Sequence, residues 1–117
     1  MRKIMAAALM GYALMAAPAA TADPARDELI RTEAQIAVLN TADASAAAPV
    51  NFKEAQLRLT EARAAEAKNK DKESLWRSAE ASLQAEIVSE KIKLRTLERT
   101  VSEIETGIAT LRRELNS

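Results

Sequence analysis

The chain has 117 residues, 17 basic and 17 acidic, with neither histidine nor cysteine. That inventory excludes Ser-His and Cys-His nucleophilic catalysis, imidazole and thiolate metal sites, and any disulfide framework. The balanced charge, with no clustered basic face, argues against an electrostatic nucleic-acid binder.

The N-terminus carries Arg2 and Lys3, then the weakly apolar run 4–17, then Pro18 and the small-residue stretch Ala19, Ala20, Thr21 and Ala22. This is the n-region, h-region and A-x-A order of a secretory signal peptide, expected over residues 1–22. The run falls short of the ~20 apolar residues that cross a bilayer, which favours a cleaved signal over an anchor. An uncleaved anchor, lengthened through residues 19–22, is the alternative and would tether the same domain. Cleavage after Ala22 predicts an exported protein, periplasmic or secreted, with no stable membrane span. Without a cysteine it has no site for lipid attachment. Loss of Arg2 and Lys3 would leave slightly more acidic than basic residues.

The rest, 23–117, reads as a single helical domain. It holds one glycine (Gly107), two prolines (Pro24 and Pro49) and two aromatic residues (Phe52 and Trp76), amid abundant Ala, Glu, Leu, Lys and Arg. Asp23 and Pro24 supply an N-cap and an N1 proline for a first helix over about 24–40, extendable through Thr41 to Ala47. Its apolar positions are Leu29, Ile30, Ala34, Ile36, Ala37 and Leu39. Pro49 interrupts, and Asn51 followed by Glu54 resembles a capping box opening a second helix over about 51–68. There Phe52, Ala55, Leu59 and Ala62 recur at helical spacing.

The polar stretch 68–71 reads as a tight turn with Asp71 as N-cap of a third helix over about 72–115. That helix would be ~65 Å long against ~27 Å for the second. Leu75, Trp76, Ala79, Leu83 and Ile87 are expected to pack antiparallel on Phe52, Ala55, Leu59 and Ala62. The expected fold is all-α: a small antiparallel bundle of three helices whose third helix extends as a coiled coil.

Past about Glu90 the pattern becomes stricter. Leu94, Leu97, Val101, Ile104, Ile108, Leu111 and Leu115 alternate spacings of three and four, a coiled-coil seam over three heptads. With Leu94 at a, the a row is Leu94, Val101, Ile108 and Leu115, and the d row is Leu97, Ile104 and Leu111. The β-branched a residues lean towards a parallel dimer, and Ile104 at d leans towards trimers. Lys93 at g can meet Glu98 at e of a partner chain. This seam is the candidate interaction site, either for a homo-oligomer or for a helical envelope protein. Cover by the first helix of the same chain is the competing arrangement, and Gly107 is either a surface residue or a point of close helix approach.

No catalytic, cofactor or metal site is expected. Acid pairs such as Glu86 and Glu90 sit among lysines and arginines in the manner of solvated, salt-bridged helix faces. Glu90, in register between Ile87 and Leu94, reads as a handover between packing partners. Phe52 and Trp76 read as core residues near the turn.

The segment Ala48-Pro49-Val50-Asn51-Phe52-Lys53-Glu54-Ala55, followed by Leu59, Ala62-Arg63-Ala64-Ala65, a polar turn and Leu75 to Glu90, carries a resemblance. It resembles a bacterial envelope domain-of-unknown-function family, alanine-rich and helical, found in secreted proteins and lipoproteins and sometimes fused to OmpA-like domains. The resemblance covers residues 34–93 and implies a helical fold and an envelope location, with no catalytic residues to transfer. The chain lacks the lipid-attachment cysteine and any OmpA-like domain, so anchorage and peptidoglycan binding are not carried over. The expected role is a non-enzymatic helical interaction or structural protein of the cell envelope; the alternative is a periplasmic holdase-type chaperone.

Overall fold

The computed structural model describes residues 23–117, and the signal peptide expected over 1–22 lies outside them. Among the described residues there are four helices and no strand: α1 (Pro24–Ala37), α2 (Thr41–Ala47), α3 (Pro49–Ala67) and α4 (Asp71–Leu115). The chain is all-helical as expected, with one helix more than the three read from the sequence.

Helix α1 starts as Asp23 and Pro24 dictate. The Asp23 carboxylate accepts hydrogen bonds from the Ala25 and Arg26 amides at 3.1 and 3.2 Å. It ends at Ala37, short of the expected Asn40. Asn40 instead opens α2, its side-chain oxygen accepting from the Asp43 amide at 3.0 Å. Asparagine offers the backbone a local partner that competes with helix continuation, so the alanine-rich stretch forms a helix of its own. Ala48 then closes α2 and opens α3, with φ −150° and ψ 62°. The residue before a proline is barred from helical geometry by the pyrrolidine ring, which is why the chain breaks there.

The expected capping box at Asn51 and Glu54 does not form. Helix α3 begins earlier, at Pro49, and Asn51 lies inside it. The Asn51 amide donates to Gln84 at 2.8 Å and its oxygen accepts from Lys91 at 2.7 Å, so it ties α3 to α4. The turn to α4 is a Schellman closure: Asn69 adopts φ 57°, Lys70 N–H donates to Ala65 O at 2.9 Å, and Asn69 N–H to Glu66 O at 3.0 Å. Helix α4 starts at Asp71 itself, with Lys70 at the cap position and no side-chain cap.

Helix α3 buries the stripe expected of it, Phe52, Ala55, Leu59 and Ala62, together with Ala65. Helix α4 does not. Its buried face is Ser74, Ser78, Ala81, Ala85 and Val88, with Ile92 partly covered. Trp76, Leu83 and Ala79 are exposed, Leu75 is at the margin, and Ile87 is half-buried. In α1, Ile30, Ala34 and Ala37 are likewise exposed, while Thr32 is buried beside Leu29 and Ile36. Small side chains on the α4 face let α1 and α3 lie close to it, because interaxial distance follows residue size at the contact. The large residues are left on the other side.

The core is a contiguous cluster of alanines around Leu29, Ile36, Phe52, Leu59 and Val88. Each of those five larger side chains contributes ~1.5–3 kcal/mol by burial, so the core is modest and alanine contact sets its geometry. Thr32 Oγ1 donates to the Ser78 carbonyl at 3.4 Å, and Gln35 reaches the Ser82 carbonyl at 3.2 Å, fastening α1 to α4.

Candidate functional site

Cover along α4 ends where the shorter helices end. Asp43 and Ala47 of α2 share a small groove with Ile92, Arg95, Thr96 and Arg99. Beyond that groove no other described helix accompanies α4. Cover of the extension by α1, the competing arrangement, does not occur: α1 lies beside the Ser78–Ser82 part of α4.

All seven residues of the expected seam are exposed, from 45% at Ile108 to 83% at Leu115. Leu94, Leu97 and Val101 line a shallow groove together with Glu98, Ser102 and Glu105. Apolar residues standing singly on a surface are ordinary, whereas seven aligned on one face form a continuous patch. A Cβ added at Gly107 would meet nothing within 4 Å, so this glycine is a surface residue of the described chain.

The stripe does not begin at Leu94. Trp76, 69% exposed, and Leu83, 57% exposed, lie on the same side of the helix. From Trp76 to Leu94 is about five whole turns of 3.6 residues, while from the buried Ala85 to Leu94 is about two and a half. The seam and the bundle-facing surface are therefore opposite faces of α4. Counting back from Leu94 in steps of three and four reaches the half-buried Ile87 and then Leu83 and Trp76, the signal by which sequence reading could have placed Leu83 and Trp76 on the outside. The pairing of Phe52 with Trp76 is corrected on the same ground: Phe52 is buried and Trp76 faces outward.

Charges punctuate the stripe. Glu90 lies within it and pairs with Lys93 at 3.3 Å. Nearer the turn, the ion pairs belong to the bundle. Arg58 contacts Glu54 at 2.7 Å, Glu61 at 3.1 Å and Glu80 at 3.3 Å, and Arg77 contacts Glu61 at 3.0 Å and Glu80 at 3.1 Å. The hydrogen bond from Arg58 to Glu61, opposed by partial desolvation and aided by the Glu54 charge, raises the Arg58 pKa and keeps the guanidinium charged. This network crosslinks α3 and α4 at a partly exposed site.

The buried polar side chains among the described residues are Thr32, Ser74 and Ser78. The hydroxyls of Ser74 and Ser78 have no hydrogen-bond partner. They lie on the face of α4 that is buried against the bundle. Asp23, Glu66 and Asp71 bring carboxylate oxygens within 4.8 Å of one another. Two of the three have a structural reason to be there: Asp23 caps α1, and Asp71 sits in the first turn of α4, where the helix dipole favours anions. No helix of the described residues is long and apolar enough to cross a membrane.

No family model, no curated protein and no solved structure matches the chain.

Proposed function

We propose that this is an exported, non-enzymatic helical interaction protein of the cell envelope, which holds another helix along the outward face of α4. The observation that carries the reading is the exposure of all seven seam residues from Leu94 to Leu115 on one face. A helix of 45 residues with that face uncovered exceeds what its own bundle requires. Paired with a second amphipathic helix, the face becomes the hydrophobic seam of a coiled coil. The bundle then serves as a rigid base from which the extension projects. The signal-peptide pattern of residues 1–22 supports the envelope location, and the lack of histidine and cysteine supports a binding role.

Photo-crosslinking from single positions in cells that express the full chain tests this reading. A photoreactive residue at Val101 or Ile104 is expected to give discrete adducts, to the chain itself or to another protein. One at Glu103 or Thr106, on the far side of the helix, is expected to give none. No adduct from either seam position would refute the use of this face.

A further inference from the structure

Resting on that reading, we infer that the occupant of the seam is a second copy of this chain, lying parallel and in register, with both bundles at the same end. Charge placement along the extension distinguishes this from the alternatives. In a parallel pair each g residue faces the e residue of the following heptad on the partner, and these flanking pairs set orientation. Here Lys93 at g meets Glu98 of the partner, Thr100 meets Glu105, and Gly107 meets Arg112. Each copy therefore contributes one attraction and no like-charge contact at the flanks.

Reversing one strand over the same residues places e against e and g against g. Glu98 then faces Glu105 of the partner subunit, twice by symmetry, and Lys93 faces Glu114 of the partner subunit, so reversal adds a like-charge clash that the parallel pair lacks. Just before the seam, Lys91 would also face Arg112 of the partner subunit. Sliding the reversed strand by a heptad relieves these pairs but sets Glu105 against its own copy and strips Leu94 of a seam partner.

Seam shape agrees with charge. The interior a residues, Val101 and Ile108, are β-branched and leucine holds two of the three d positions, Leu97 and Leu111, which suits a two-stranded parallel coil, while Ile104 at the third d position leans towards three strands. The bundle does not obstruct it, because Ser74, Ser78, Ala81, Ala85 and Val88 keep α1 and α3 on the opposite side of α4. At the bundle end the two Glu90 side chains would face each other at d, so the closed seam starts at Leu94. The acidic groove lined by Leu94, Leu97, Glu98 and Val101 is the surface that receives Lys93 of the partner subunit.

Single cysteines test the arrangement, since the chain has none of its own. Residues 23–117, which hold every described helix, are prepared with Leu111→Cys or, as a control on the outer face, Arg113→Cys. Sedimentation equilibrium of the unsubstituted chain accompanies them. A parallel in-register dimer brings the two Leu111→Cys thiols into disulfide reach, whereas every reversed arrangement described above separates them by ~15 Å or more, beyond that reach. The expected result is a dimer in which Leu111→Cys oxidises to a covalent pair and Arg113→Cys does not. Lys93→Glu is expected to weaken association several-fold, with recovery on adding Glu98→Lys.

A dimer without the Leu111→Cys crosslink would overturn the orientation, and a trimer would overturn the strand number; the seam reading survives both. A monomer at all concentrations would overturn the second copy as occupant, and adducts to a different protein in cells would then identify what the seam holds. Absence of adducts of any kind would bring down the functional reading itself.

Discussion

Gln35 and Ser82 are joined by two hydrogen bonds of opposite sense: the Gln35 amide donates to the Ser82 carbonyl at 3.2 Å, and the Ser82 hydroxyl donates back to the Gln35 oxygen at 2.7 Å. Together with Thr32 on Ser78 they fasten α1 to the α4 backbone. Each bond contributes about 1 kcal/mol net. Gln35→Ala is therefore expected to cost ~1–2 kcal/mol in urea unfolding, and a double-mutant cycle with Ser82→Ala should return a coupling of at least ~0.5 kcal/mol. Strict additivity would mean that the two side chains do not meet in solution.

The two faces of α4 should respond oppositely to substitution. Ala85 is 1% exposed against close neighbours, and Ala85→Leu should lower stability by ~1–3 kcal/mol or more through overpacking. Leu83→Ala, on the exposed side, should change bundle stability by no more than ~0.5 kcal/mol. Chemical denaturation at low protein concentration checks both. The reverse ranking would restore the sequence-based packing of Leu83 onto α3.

Ser74 and Ser78 bury hydroxyls without partners, a desolvation cost that alanine removes while also favouring the helix. Ser74→Ala and Ser78→Ala are each expected to stabilise the chain by ~0.5–1 kcal/mol. Thermal unfolding is a sufficient readout, and a lower midpoint would show that each hydroxyl has found a bond.

Arg58 joins Glu54, Glu61 and Glu80 at a partly exposed site. Arg58→Met keeps the aliphatic stem and should lower stability slightly in low salt, with a smaller effect at 1 M salt as screening removes the attraction. An effect independent of salt would assign the role to packing of the stem.

Glu90 stands in the exposed stripe between Ile87 and Leu94, and for a parallel pair it would set two carboxylates face to face. Glu90→Leu should extend the seam towards Leu83 and tighten association by about tenfold or more, from burial of one further leucine on each copy. Sedimentation equilibrium measures this directly. Unchanged association would mean that the helices already diverge at this level.

Much of this organisation is legible in the sequence, and the failures share a cause. The Asp23-Pro24 start, the turn at residues 68–70, the Phe52-Ala55-Leu59-Ala62 stripe and the length of α4 follow from local chemistry and helical period. The register of α4 against the bundle differs from the expected one because Leu75, Trp76 and Leu83 have the bulk of a core, whereas the contact face is built from Ser74, Ser78, Ala81 and Ala85. Closely packed helices reward small residues, and a search for apolar bulk passes over them. Asn51 was misassigned to a cap because its partners, Gln84 and Lys91, are distant in sequence. The break at Asn40 required choosing between a continuous alanine-rich helix and a side-chain cap, two local outcomes of similar energy. The exposed stripe from Leu94 to Leu115 is legible because its spacing repeats without exception, while what covers it depends on a second surface.

A free helix of the 94–115 segment would have to form its own first turn, which is the costly step. Here that step has already been taken within the bundle, and the extension only elongates a helix that is held at its root. Amide exchange in the isolated chain should therefore grade outward, with protection falling from Ile92 to Leu115 as successive turns melt and re-form from the anchored end. A partner laid along the stripe would flatten that gradient without altering exchange at Ala81 or Ala85, because the stripe and the bundle contact lie on different sides of one helix.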